Sequence, residues 1–361
     1  MYYPKHNNLF TPYTKETYQT LIDQFYKLQT PFVFYRKAAS KTLKAVIQED
    51  DTLYTTVDYS ESGFVLAPFD NQMDSILFPF SKSEFLSFDL LLPDTNTFPI
   101  SHRPPGDIRV QNDYLTLLQK AIDFIKEGHA NKIVISRKIS QELKSVKPAD
   151  LFVKILNQYP DAFVSIWFHP AVGLWMGASP EKLLNQTNDV FSTMSLAGTK
   201  LKSDKREWNK KEKEEQQWVT DFIINQLLPM VDDLQVSKPK TVTAAHLNHI
   251  KSDITGRLSA DFKLNDLIKA LHPTPAVCGT PRKIAQEFIL ENENYNRDYY
   301  TGFLGELNME NQTDLYVNLR CLQIQEQKVR LYVGGGITKD SNPEDEWEET
   351  LNKSGVLGRF L

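Results

Sequence analysis

Cysteine is nearly absent from this chain. Cys278 and Cys321, the two in 361 residues, stand far apart and in no Cys-x-x-Cys or Cys/His spacing. That excludes a disulfide framework and a thiolate metal centre, and reads as two buried thiols in a reducing compartment. Positive charge is not in excess either: 41 Lys and Arg against 46 Asp and Glu give a formal net charge of -5. No basic stripe of the kind needed to neutralise phosphates is present, so nucleic acid is not expected as a partner. No apolar run is long enough to cross a bilayer, and the opening MYYPKHNNLF has no apolar stretch of a signal peptide. Neither membrane insertion nor export is expected, and the reading is a cytoplasmic protein. Internal repeats and low-complexity segments are also missing.

What remains is a chain with 41% hydrophobic residues, able to bury a large core. Short aromatic and β-branched runs in the first hundred residues, PFVFYRK, TLYTTV and GFVLAPF, read as strands of an antiparallel sheet. A helix is expected around Leu118, Ile122 and Ile125, with Asp113 as N-cap and Gly128 as its stop, followed by a strand at Lys132 to Ser136. FVSIWF, VGLWMGA, LYVNLRCLQI and VRLYVGGGI read as further strands, and helices are expected near 207–229, 281–291 and 344–354. PISHRPPG, 99–106, is the one tempting linker, but strand-like sequence lies on both sides of it. The expectation is a single large α+β (α/β) domain over 1–361, antiparallel sheets flanked by helices. Its less characteristic sheet portion is 1–104.

Near the C-terminus the segment PEDEWEET places Glu346 and Glu349 three residues apart, on one face of a helix, with Trp347 to anchor the other side. Glu212 and Glu215 repeat that spacing in WNKKEKEEQQWVTDF, where Trp218, Phe222 and Leu227 supply an apolar face. If the two helices face each other, four carboxylates converge and need a hard cation, Mg²⁺ in the ordinary case. Taken alone, each pair reads equally as a solvated helix start complementing the helix dipole.

The company these pairs keep decides between the readings. KIVISRK, GASPEKLL, SLAGT, EEQQWV, HIKSDITG, LHPTPAVCGTP, YYTGFLGEL, NLRCLQI, GGGI and EWEETLNK occur in that order. Together they resemble the chorismate-utilising enzymes, the isochorismate, salicylate, anthranilate and aminodeoxychorismate synthases, over about residues 105–361. The resemblance implies the family's fold, chorismate as substrate, and Mg²⁺ held by Glu212, Glu215, Glu346 and Glu349. It places Lys132 where water-using members keep a general base, and Glu181 in the general acid's place, which calls for burial and a raised pKa. Ala197, Gly198, Thr199, His249, Tyr300, Arg320, Gly334, Gly335 and Lys353 fall at substrate-contact positions. Arg320, read as lying inside an apolar strand, suits a substrate carboxylate. His246 lacks the spacing to Gly256 that marks His249.

Within the family, Lys132 and Ala197 stand where amine-adding members resemble Gln and Lys, and no LLES-like tryptophan-binding motif is present. Lys132 and Ala197 both favour water as nucleophile, hence isochorismate synthase, an isomerase with no obligatory amidotransferase partner. Salicylate synthase is the runner-up, followed by an anthranilate or aminodeoxychorismate synthase component or a non-catalytic chorismate-binding subunit. Gln216 departs from the His common after the metal-binding Glu of water-using members. Nothing in the sequence chooses between menaquinone and siderophore supply.

Overall fold

Every residue of the strand Phe32–Arg36 is buried, which requires cover on both faces. Phe32 and Phe34 join one core cluster while Val33 and Tyr35 join another, the alternation a strand imposes. This single strand thus marks the layering of the molecule. The computed structural model describes residues 12–13, 15–90, 108–142, 147–244, 247–325 and 328–361. The 99–106 linker and His246 lie outside them.

Seven α-helices occur among the described residues: α1 (Lys15–Lys27), α2 (Ile108–Lys126), α3 (Pro148–Gln158), α4 (Lys210–Leu227), α5 (Leu264–Leu271), α6 (Arg282–Asn292) and α7 (Pro343–Gly358). Two sheets of ten strands lie between them. The first runs Pro12–Tyr13, Ser83–Asp89, Thr42–Gln48, Phe32–Arg36, Phe163–His169, Gly173–Ser179, Cys321–Gln325, Lys328–Ile337, Lys132–Glu142, Gly279–Thr280. The path of the second is Val231–Val236, Leu247–Leu258, Val190–Leu201, Lys182–Thr187, Gln312–Val317, Phe303–Met309, Gly63–Ala67, Ser75–Pro79, Thr55–Thr56, with Lys240–Ala244 also paired to Leu247–Leu258. Apart from the parallel pairing of Pro12–Tyr13, the neighbours are antiparallel.

An aromatic-rich core that includes Val33, Tyr35, Phe64, Phe78, Trp167 and Trp175 fills the space between the sheets. On the outer face of the first sheet, α1 and α3 bury Tyr18, Ile22, Phe152 and Ile155, and α2 and α6 cover Ile133 and Ile135. On that of the second, α4 and α5 bury Val219, Ile223, Leu267 and Leu271. The order is helices, sheet, sheet, helices. No described helix is long and apolar enough to cross a membrane.

Three local expectations change. Helix α2 is already formed at Ile108, so Asp113 is an exposed interior residue and not its cap; buried Tyr114 carries the apolar face back before Leu118. LYVNLRCLQI is not one strand. It breaks at Asn318–Arg320, where Arg320 takes a left-handed φ of 48°, and the chain passes from the second sheet into the first. TLYTTV contributes only Thr55–Thr56. Strands Val190–Leu201 and Leu247–Leu258 go unread in the sequence because polar residues alternate along them.

Candidate active site

Where the sheets meet at Arg320, a cavity of about 190 Å³ opens between Lys132, the Pro180–Glu181 connection, Ala197–Thr199, α4 and Gly334–Gly336. Lys132 begins the strand Lys132–Glu142, as its sequence predicts, and is 1% exposed. Its Nζ lies 2.7 Å from Glu215 Oε1. Glu181 sits in the two-residue link between Gly173–Ser179 and Lys182–Thr187, held by its carbonyl, which accepts from Val317 N–H. Burial raises its carboxyl from 4.5 to about 7, against the opposing pull of Lys132 and Arg320.

A bulge shapes the wall opposite. The pairing of Val190–Leu201 with Leu247–Leu258 shifts between Ala197 and Lys200, where Gly198 adopts φ +68°, a conformation open to glycine. The Gly198 carbonyl then accepts from His249 Nδ1 at 2.9 Å. With its proton on Nδ1, the ring leaves Nε2 as a bare acceptor, buried and without a hydrogen-bond partner in the protein. Burial, with Arg320 and Lys353 nearby, lowers His249 to about 3, so it stays neutral. Arg320 lines the cavity, its guanidinium pulled down by desolvation. Tyr300 stacks on Tyr332, ring centroids 5.4 Å apart, and Lys353 donates to Gly334 O at 2.9 Å.

The carboxylates are set by two helices. Asn209 and Glu212 form a capping box at the start of α4, so Glu212 Oε2 accepts from Asn209 N–H at 2.7 Å. Glu212 lines the cavity, but that oxygen serves its own helix. Helix α7 is fixed by Trp347, buried under Arg137 at 4.0 Å, and by Thr350, which accepts from Arg137 Nε. Glu346 and Glu349 then flank Gly335, and Glu215 flanks Gly336, where a Cβ would come within 2.5 Å of its Oε1. Each of the three is balanced by a lysine: Lys132 on Glu215, Lys211 on Glu346 at 2.9 Å, Lys353 on Glu349 at 2.5 Å. Burial and repulsion from Glu349 still raise Glu346. Burial is the largest influence on Glu215 and would raise it, but Lys132, Lys353 and Lys211 together outweigh it and the net shift is downward.

Among the described residues, no three His, Cys, Asp or Glu side chains stand close enough to hold a metal ion as placed. In kind, the donor set suits a hard divalent cation: oxygens only, crowded enough that each carboxylate needs positive charge beside it. Of the fifteen residues singled out in the sequence, the cavity gathers fourteen; Glu346 stands behind Gly335, bonded to Lys211 and Ser341. Lys211, Thr301 and Tyr332 also line it and were missed. Lys211 had a signal, one turn before Glu215 on the same helix face. Gln216 points elsewhere, its Nε2 within hydrogen-bond distance of the Ser195, Thr220 and Ser252 hydroxyls in a buried polar knot between α4 and the second sheet.

Residues 94–361 match the family model described as chorismate binding enzyme. Isochorismate synthase DhbC of Bacillus subtilis is 32% identical over 271 residues, covering 69% of this chain and 67% of the relative. Isochorismate synthase EntC of Escherichia coli is 29% identical over 262 residues, 68% of this chain and 66% of that one. The chain thus spans about two thirds of the length of these relatives. The crystal structure of a DhbC from Bacillus anthracis superposes with a TM-score of 0.78 at 24% identity, covering 95% of this chain and 99% of the other. Its likeness speaks for the fold. With a match reaching over most of the chain and a relative 32% identical, the protein belongs to the chorismate binding enzyme family.

Proposed function

We propose that this chain is an isochorismate synthase, adding water at ring C2 of chorismate with loss of the C4 hydroxyl, reversibly and without an amidotransferase. One observation carries the reading: a buried lysine, Lys132, shares a cavity with a carboxyl, Glu181, that burial keeps protonated up to about pH 7. In this scheme Lys132 accepts the proton of the attacking water as the neutral amine, its ammonium form being the one that pairs with Glu215, and Glu181 donates a proton to the departing hydroxyl. Arg320 and Lys353 meet the substrate's carboxylates, Arg320 with a fork that no protein carboxylate occupies among the described residues. His249 Nε2 accepts from a substrate hydroxyl. The relatives named isochorismate synthases support water as nucleophile, as do Lys132 and Ala197.

Glu215, Glu346 and Glu349 would hold Mg²⁺, with Glu212 joining if it leaves its cap. When bound, the ion would supply Lewis-acid charge beside a substrate carboxylate. Added Mg²⁺ is expected to raise the unfolding midpoint of the wild type but not that of Glu349→Gln, and excess EDTA to abolish turnover. A midpoint indifferent to Mg²⁺ in the wild type, with full activity in EDTA, removes the metal from the scheme.

The deciding assay is purified protein with chorismate and Mg²⁺, products separated by chromatography. The same isochorismate-to-chorismate ratio should be reached from either side. Salicylate with pyruvate would overturn this reading in favour of water addition followed by elimination. An amino product made only with ammonium would move the chain to the aminating branch.

A further inference from the structure

Strand Lys132–Glu142 carries the proposed base at its first residue, and the strand on its outer edge is only two residues long. Gly279–Thr280 pairs with Ile133 and Lys132, and Cys278 O accepts from Val134 N–H, after which, among the described residues, the edge has no strand beside it. The next two backbone groups on that edge are Val134 C=O and Ser136 N–H. Both are met by an ion pair: Arg297 Nη2 donates to Val134 O at 2.7 Å, and Glu293 Oε1 accepts from Ser136 N–H at 2.7 Å. A buried Arg–Glu pair here takes the place of a missing strand.

The same guanidinium ties down the other walls. Arg297, 3% exposed, donates from Nε and Nη2 to both oxygens of Glu293, from Nη1 to Val277 O at 3.0 Å, and from Nη1 to Thr301 Oγ1 at 3.3 Å. With Val134 that uses each of the five N–H groups an arginine has. Val134, Val277 and Thr301 all line the cavity, on three separate pieces of chain. Arg297 itself does not line it, and its donors are spent on protein acceptors.

We infer that Arg297, oriented by Glu293, is a positioning residue that fixes the strand bearing Lys132 against the Val277 and Thr301 walls of the cavity. The inference rests on the proposed role of Lys132. Lysine in its place keeps a charge for Glu293 but has a single ammonium, unable to reach Val134 O, Val277 O and Thr301 Oγ1 in the planar spread of a guanidinium. Misplacing a reacting group by about 1 Å costs on the order of 10²-fold.

The test compares the Mg²⁺-supplemented full chain as wild type, Arg297→Lys and Lys44→Met. Lys44 belongs to a half-buried ion pair with Glu306, at 2.8 Å, away from the cavity lining, and serves as the control for destabilisation alone. Arg297→Lys is expected to lose about 10- to 100-fold in kcat per folded molecule, with KM for chorismate within about threefold. Lys44→Met should lower the unfolding midpoint and leave kcat per folded molecule unchanged. Wild-type kcat in Arg297→Lys, a rise in KM alone, or an equal fall in kcat in the control would each overturn the inference. A wild type that does not turn chorismate over would instead sink the reading of the site.

Discussion

Replacing Lys132 by glutamine is expected to lower isochorismate formation by about 10²- to 10⁴-fold, the usual worth of a general base. Glutamine keeps a polar chain of similar reach but has no lone pair basic enough to take a proton from water. The structure adds a cost in stability. Lys132 is the closest cation to Glu215, and without it that carboxylate keeps only the more distant pull of Lys353 and Lys211. Breaking a buried pair typically costs about 3–5 kcal/mol. Turnover should therefore be measured below the variant's own unfolding midpoint, with circular dichroism to count folded molecules. Near wild-type turnover in a folded Lys132→Gln protein would put the base elsewhere.

Glu181→Gln should give a comparable loss of activity together with a gain in stability that depends on pH. Activity falls because glutamine cannot give up a proton; it falls by one factor in both directions, since a catalyst leaves the equilibrium ratio unchanged. Stability moves the other way. The folded pKa of about 7 lies above the ordinary 4.5, so folding favours the protonated acid. The wild type has that contribution in full below about pH 4.5 and loses it as pH climbs through 7. A neutral amide carries no such loss. The variant should be more stable than wild type at pH 8, by on the order of 3 kcal/mol, with the difference vanishing near pH 4.5. For the wild type, kcat/KM in the synthetic direction should decline as pH rises past about 7. Equal melting of the two proteins at pH 8, or a pH-rate profile flat through 7, would remove Glu181 from the acid's role.

Much of the site was legible because its chemistry lies in short runs with fixed spacing. Glu346 and Glu349 share a face of α7, with Trp347 buried behind them, because three-residue spacing on a helix permits little else. The capping of α4 was not legible in the same way. Asn209 followed by Glu212 is a capping signature as well as half of a carboxylate pair, and one side chain cannot be in both places at once. Arg320 shows the commonest failure. Apolar neighbours on both sides read as one strand, whereas the chain changes sheets there, a decision made by packing between segments far apart in sequence. The polar alternation of Val190–Leu201 and Leu247–Leu258 hid two of the longest strands, since half of each faces away from the core.

The interleaving of early and late strands bears on how the protein is made. Phe32–Arg36 pairs with Phe163–His169, and Gly63–Ala67 with Phe303–Met309, so neither early strand has its partner when it leaves the ribosome. The Tyr35 hydroxyl meets Glu306 at 2.7 Å across 271 positions of chain. At about 5–20 residues per second, that partner arrives roughly 15 to 50 s later. Through most of that interval the apolar strand Gly63–Ala67 has one edge unpaired, the condition under which nascent chains cross-associate. A polypeptide stalled or truncated before residue 303 would remain in that state, dependent on whatever in the cell shields unfinished sheets.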